Sequence, residues 1–163
     1  MFKFISRGNF VRSTWVVLAA WLALGLAFFA RANPIESNGD FKPDDAGKKL
    51  FFALGMIESG NDDRGIGRAG EVSRYQIHPK VWKNYSGSRE FENPEVSLQV
   101  AHQHWNHLTN YFRAKAGHEP TSFDMYVLWN TRFGYYARKG FHPDRLAAVI
   151  RDRAQRFVNL VDR

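Results

Sequence analysis

The sequence predicts a mainly α domain with a small β element at most, and three observations carry that prediction. Apolar residues recur at spacings of three and four in several separate segments after residue 43, the period of a helix with one buried face. The stretch that breaks this rhythm, Asn61 to Glu71, is too rich in glycine and aspartate for a helix and reads as a loop or small hairpin. No internal repeat, low-complexity tract or parallel-sheet pattern interrupts the helical reading.

In chain order, residues 1–32 stand apart from the domain. Lys3, Arg7 and Arg12 form a positive flank, Trp15 to Ala30 is uncharged and apolar, and Ala30-Arg31-Ala32 offers a small-x-small cleavage site. This is the pattern of a secretory signal peptide. Cleavage after Ala32 leaves 131 of the 163 residues, enough for one compact domain. If it is retained, the same run is a membrane anchor; either way the domain is exported and is expected in the periplasm or outside the cell. Residues 33–42, with Pro34, Ser37, Asn38 and Gly39, read as a linker, and 43–163 as the domain.

Pro43-Asp44-Asp45 starts the first helix, with acidic residues at its positive end. Leu50, Leu54 and Ile57 share one face with Phe51 beside them, and Ser59-Gly60-Asn61 stops the helix. The loop from Asn61 ends near Val72 as a small hairpin. Pro79 to Tyr85 is a short helix with Val81 and Trp82 turned inward. Asn93-Pro94-Glu95 opens a long helix to Lys115, carrying Leu98, Ala101, Trp105, Leu108 and Phe112, and Gly117 ends it. Thr121-Ser122 caps a helix through Met125, Leu128 and Trp129. The last helix runs from about Pro143, with Leu146, Val149, Ile150, Phe157 and Val161 as its apolar stripe.

Charge and composition exclude several classes. The formal net charge is +7, but four of the basic residues lie in the leader, which has no acids. The remaining 19 basic and 16 acidic residues leave +3, too mild for a nucleic-acid binder and compatible with an anionic polymer. There is no cysteine, so an exported domain must hold itself by packing alone. His102, His104 and His107 lack the spacing of a metal motif, and they read as polar surface residues. Trp105, Phe112, Phe123 and Tyr126 read as core, and Arg151-Asp152-Arg153 as a solvated helix face.

Glu58 is the residue that points to chemistry. It sits at the C-terminal end of a helix whose other face is buried, where the helix carbonyls oppose a second negative charge. That opposition is worth only about 0.3–1 kcal/mol, less than one pKa unit, so burial must be the larger influence if the group is to keep its proton near neutrality. Met56, Tyr75, Trp129, Phe133, Tyr135 and Tyr136 are candidates for apolar cover. A carboxyl so tuned is the general acid that glycosidic cleavage requires. Asp62, Asp63 and Glu71 are the nearby acids in sequence; the aspartates suit turns, and Glu71 can pair with Arg68 or Arg74.

Four motifs in order strengthen that reading. Glu58-Ser59, then Gly70-x-x-Ser73-Arg74-Tyr75-Gln76-Ile77-x-Pro79, then Asn93-Pro94, then Leu128-Trp129-Asn130 resemble the signature of soluble lytic transglycosylases over Asp45 to Val161. The resemblance implies a lysozyme-like fold with a small β-hairpin or loop element beside an active-site cleft. It implies cleavage of the β-1,4 bond between N-acetylmuramic acid and N-acetylglucosamine in peptidoglycan glycan strands. Glu58 would protonate the leaving oxygen and then, as a base, activate the primary hydroxyl of the same muramic acid, giving a 1,6-anhydro product. Ser59, Tyr75, Gln76, Trp129, Asn130 and Tyr135 would line the substrate. No cofactor or metal, no nucleic acid and a monomeric state are expected. The chain departs from the family where Trp129 replaces a tyrosine, leaving Tyr135 or Tyr136 to supply a hydroxyl. Ser73-Arg74-Tyr75 replaces Gly-Leu-Met, and Gly67 stands where a serine is usual. The alternatives are a muramidase, which adds water through a second acid, and a non-catalytic wall-binding or scaffold domain.

Overall fold

The computed structural model describes residues 42–163; the expected leader at 1–32 and all but the end of the expected linker at 33–42 lie outside them. Helix α1 spans Asp45–Ser59, and Asp44 caps it by accepting the Gly47 N–H at 2.8 Å. Its buried side is Phe51, Ala53, Leu54 and Gly55. Gly60 ends it in the left-handed region at φ 73°, a conformation that costs glycine little. The chain then folds back so closely that a Cβ on Gly55 would stand 2.0 Å from Asn61 Oδ1. Glycine at 55 is thus what admits the return.

The return loop is tied to the end of α1. Ser59 Oγ donates to the Arg74 carbonyl at 2.8 Å and accepts the Asp62 N–H at 3.1 Å. Arg74 makes a two-pronged ion pair with Asp63. The β element lies later than expected: Val72 and Ile77 exchange two backbone hydrogen bonds, both 3.0 Å, as an isolated antiparallel bridge. Residues 61–71 form turns instead, because their amides pair locally, Gly65 with the Asp62 carbonyl and Gly70 with that of Gly67.

Helix α2, Pro79–Trp82, is one turn long and buries Trp82, whose indole N–H donates to the Ser88 carbonyl at 2.9 Å. Helix α3 spans Pro94–Ala116, started by Asn93 accepting two amides and ended by Gly117 at φ 77°. Helix α4, Ser122–Asn130, opens with a reciprocal cap between Thr121 and Asp124. Five consecutive residues, Asp124 to Leu128, are buried, so α4 is enclosed on all sides and forms the centre of the core. It packs against α3 and against α6, which in turn contacts α1. Between them, α5 is the short turn Tyr135–Arg138, with Tyr136 buried.

The last helix starts later than Pro143 suggests. Pro143–Arg145 is a single 3₁₀ turn, Leu146 and Ala147 are extended, and α6 runs Ala148–Val161. The extended pair lets Leu146 drop into the core at 4% exposure and leaves Val149 outside the apolar stripe at 68%. Ile150, Ala154, Phe157 and Val161 make the packed face. The domain is therefore mainly α, with its β structure among the described residues confined to one bridge. No helix among these residues is long and apolar enough to cross a membrane.

Candidate active site

Glu58 ends up inside the domain. It lies in the last turn of α1 with its side chain only 7% exposed. The Tyr126 hydroxyl donates to Oε1 at 2.6 Å, and Arg153 Nη2 stands 3.4 Å from Oε2. The same Arg153 nitrogen donates to the Ile57 carbonyl at 3.2 Å, so a cation meets the negative end of α1. Burial pushes the Glu58 carboxyl above its ordinary value. Against that, the Tyr126 hydroxyl, the Arg153 charge and the Asn130 amide draw it down, while the charge of Glu71 adds to the rise. Burial wins, and the acid is held towards its protonated form.

Two of these partners were not expected. The sequence alone places Tyr126 in the core and Arg153 on a solvated face. Tyr126 and Asn130 are four residues apart on α4 and therefore share the face that meets the end of α1. Arg153 lies three residues after Ile150 and four before Phe157, on the packed side of α6. Both spacings are legible in the sequence, but neither identifies the partner.

The other expected residues divide into three groups. Gln76, Trp129 and Asn130 line one cleft of about 550 Å³ together with Glu71, His104 and Phe133. Glu58 is not itself in that lining, but the Asn130 amide, which is, acts on its carboxyl. Ser59 holds the loop onto the helix end. Tyr75 and Tyr135 stand apart from the cleft lining. Tyr75 is 3% exposed against Phe51, its hydroxyl pushed up to about 12 chiefly by burial. Tyr135 is half-buried on α5 beside Lys139. The other tyrosine proposed to supply a hydroxyl, Tyr136, is buried and donates to Asp124 at 2.7 Å. The hydroxyl on Glu58 comes from Tyr126 instead. Met56 and Phe133, expected as cover, are 41% and 63% exposed.

The cleft wall is largely uncharged. His104 is half-buried rather than on the surface, with Nδ1 3.0 Å from the Tyr85 hydroxyl and its ring tilted on Trp129 at 5.0 Å. Burial, assisted by His107, lowers it to about 4, so the imidazole is neutral at pH 7. The Gln76 backbone is at φ 51°, in the left-handed region. Its side-chain nitrogen donates to the carbonyls of Gly65 and Ser73, each at 3.0 Å. That fixes which way the amide faces and sets Oε1 against Gly67. The loop acids are also sorted. Asp63 belongs to Arg74, and Asp62 accepts the Arg64 N–H at 3.0 Å. Glu71 lines the cleft and, among the described residues, makes no ion pair with Arg68 or Arg74.

Such a site offers a shielded proton donor beside a groove of amide, indole and imidazole groups, the chemistry that suits a neutral, hydroxyl-rich chain. Comparison with known proteins found no matching family model, no matching curated protein and no matching solved structure.

Proposed function

We propose that this chain is an exported peptidoglycan-cleaving enzyme of lytic-transglycosylase type on a lysozyme-like fold. One observation carries the reading: a glutamate at a helix end, 7% exposed and biased towards its acid form by burial, is reached by the amide of a cleft residue, Asn130. Glu58 gives its proton to the oxygen between N-acetylmuramic acid and N-acetylglucosamine as that bond breaks. Tyr126 and Asn130 orient the carboxyl, and its conjugate base then accepts the proton of the attacking hydroxyl. In the transglycosylase route that hydroxyl is the sugar's own, and a 1,6-anhydro end results. The resemblance of four ordered motifs supports the substrate class. A hydrolytic variant is a second reading, favoured by Glu71 in the cleft lining.

The test is digestion of purified sacculi by the domain and by Glu58→Gln, with released muropeptides identified by mass. Wild type should release fragments, and the variant should be slower by about 10²–10⁴-fold, the usual contribution of a positioned acid. Retained binding to an intact glycan by the wild type would identify a wall-binding domain instead.

A further inference from the structure

Glu71 and Gln76 form a second feature of the cleft that a one-carboxylate mechanism leaves unused. Both side chains fold over Gly67: a Cβ there would stand 2.2 Å from Glu71 Oε2 and 2.5 Å from Gln76 Oε1. Both oxygens therefore pack against the Gly67 backbone close to one another, near enough for one small molecule on their cleft side to bridge them, and any side chain at 67 would push them apart. A serine at this position would collide with both. Glu71 is held by the Ala69 N–H on Oε2 at 3.0 Å, and the Glu71 carbonyl accepts the Gly67 N–H at 2.8 Å. Gln76 has already spent its nitrogen on two backbone carbonyls. Among the described residues no donor reaches Gln76 Oε1. Two acceptors converging without a donor between them call for a ligand that brings its own hydrogens.

We propose that Glu71 and Gln76 Oε1 hold a water molecule that attacks the anomeric carbon, making Glu71 a catalytic base and hydrolysis a true outcome of this site. The inference rests on glycan cleavage with Glu58 as acid. The water oxygen bonds to C1 of the muramic acid while the C1–O4 bond breaks. The proton of Glu58 goes to O4 of the departing glucosamine, and a proton of the water goes to Glu71. The products are a reducing muramic acid end of inverted configuration and a free 4-hydroxyl, with Glu58 left as carboxylate and Glu71 as acid. Exchange with solvent resets both. The Glu71 charge also raises the Glu58 carboxyl, as a working pair of acid and base requires.

The experiment is digestion of sacculi in heavy-oxygen water, counting labelled reducing ends and 1,6-anhydro ends by mass. Wild type should yield labelled reducing ends as a substantial product. In Glu71→Gln the ratio of labelled to anhydro ends should fall by about 10²-fold or more, whereas a merely structural role would lower both together. Adding azide to Glu71→Ala should produce an inverted glycosyl azide, since azide attacks without a base. If wild type makes anhydro ends alone, the proposal is overturned with no variant needed, and the cleavage reading survives. If the ratio is unchanged in a folded Glu71→Gln, the proposal is likewise overturned. If wild type releases nothing, both readings fall.

Discussion

Two carboxylates in this domain each receive a buried tyrosine hydroxyl, yet the rest of their surroundings differ. Asp124 is 8% exposed and accepts from Tyr136 at 2.7 Å on one oxygen. Its other oxygen accepts the Thr121 hydroxyl at 2.6 Å and the Thr121 amide at 2.9 Å. Both of its oxygens are therefore met by close donors, and it starts the central helix. The Glu58 side chain, 7% exposed, has one close donor on Oε1, a guanidinium at 3.4 Å on Oε2 and the Asn130 amide acting on it. Both carboxyls are withdrawn from water; what differs is how closely the protein's donors meet them. Close donors on both oxygens suit Asp124 to its structural place at the helix start, whereas at Glu58 burial outweighs the donors and raises the carboxyl above its ordinary value.

The largest effect that tests this contrast is on stability. Asp124→Ala removes a reciprocal helix cap and strands the Tyr136 hydroxyl, which should cost about 2–4 kcal/mol by thermal or denaturant unfolding. Glu58→Gln should act in the opposite direction near neutral pH, stabilising by about 0.5–2 kcal/mol, as functional sites often do when their strained group is replaced. The sign follows from linkage. The Glu58 carboxyl is raised in the folded state, so its contribution is complete below its ordinary value of 4.5 and is lost as pH rises through the raised one. The gap between wild type and Glu58→Gln should open across that window and close in acid. Equal destabilisation by both substitutions would erase the distinction between the two carboxylates.

How much of this was legible in the residues alone follows the same division. Helix starts and stops read well because caps are local: Asp44, Asn93, Thr121, Gly60 and Gly117 all act within a few residues of themselves. Glu58 was legible because helix end, glycine stop and apolar face all lie in one segment. Tyr126 and Arg153 were not, since each reaches Glu58 across 68 and 95 positions of sequence, and only packing decides such a pairing. His104 failed for a related reason. Its helix period is ambiguous between the core and the cleft, and the half-buried outcome depends on Trp129 from another helix. The late start of α6 came from two extended residues, Leu146 and Ala147, that no breaker residue announces.

Tyrosine-to-phenylalanine changes sharpen the comparison further. The Tyr126 hydroxyl is the foremost influence lowering the Glu58 carboxyl, so Tyr126→Phe should raise that group again and move the alkaline limb of the pH–rate profile upward. Tyr136→Phe touches only the structural carboxylate. It should cost about 1 kcal/mol of stability and leave the profile where it was. An unshifted limb in folded Tyr126→Phe would show that some group other than Glu58 sets the profile.

The smallest effect belongs to Arg153, and its size is itself informative. The guanidinium is 36% exposed and 3.4 Å from the carboxylate, so water and salt share its field. It also caps the Ile57 carbonyl, and the residue is partly buried. Arg153→Met keeps much of the apolar stem while removing the charge. The Glu58 carboxyl should rise, shifting the alkaline limb in the same direction as Tyr126→Phe but by less, with a stability change within about 1 kcal/mol. In wild type, raising the salt concentration should move the limb part of the way towards the Arg153→Met position, because screening weakens the same cation. The variant itself should respond little to salt. A shift larger than that of Tyr126→Phe would make the ion pair, rather than the hydroxyl, the chief restraint on the acid. Asp124, with no cation beside it in the described ion pairs, would then be the wrong carboxylate to measure it against.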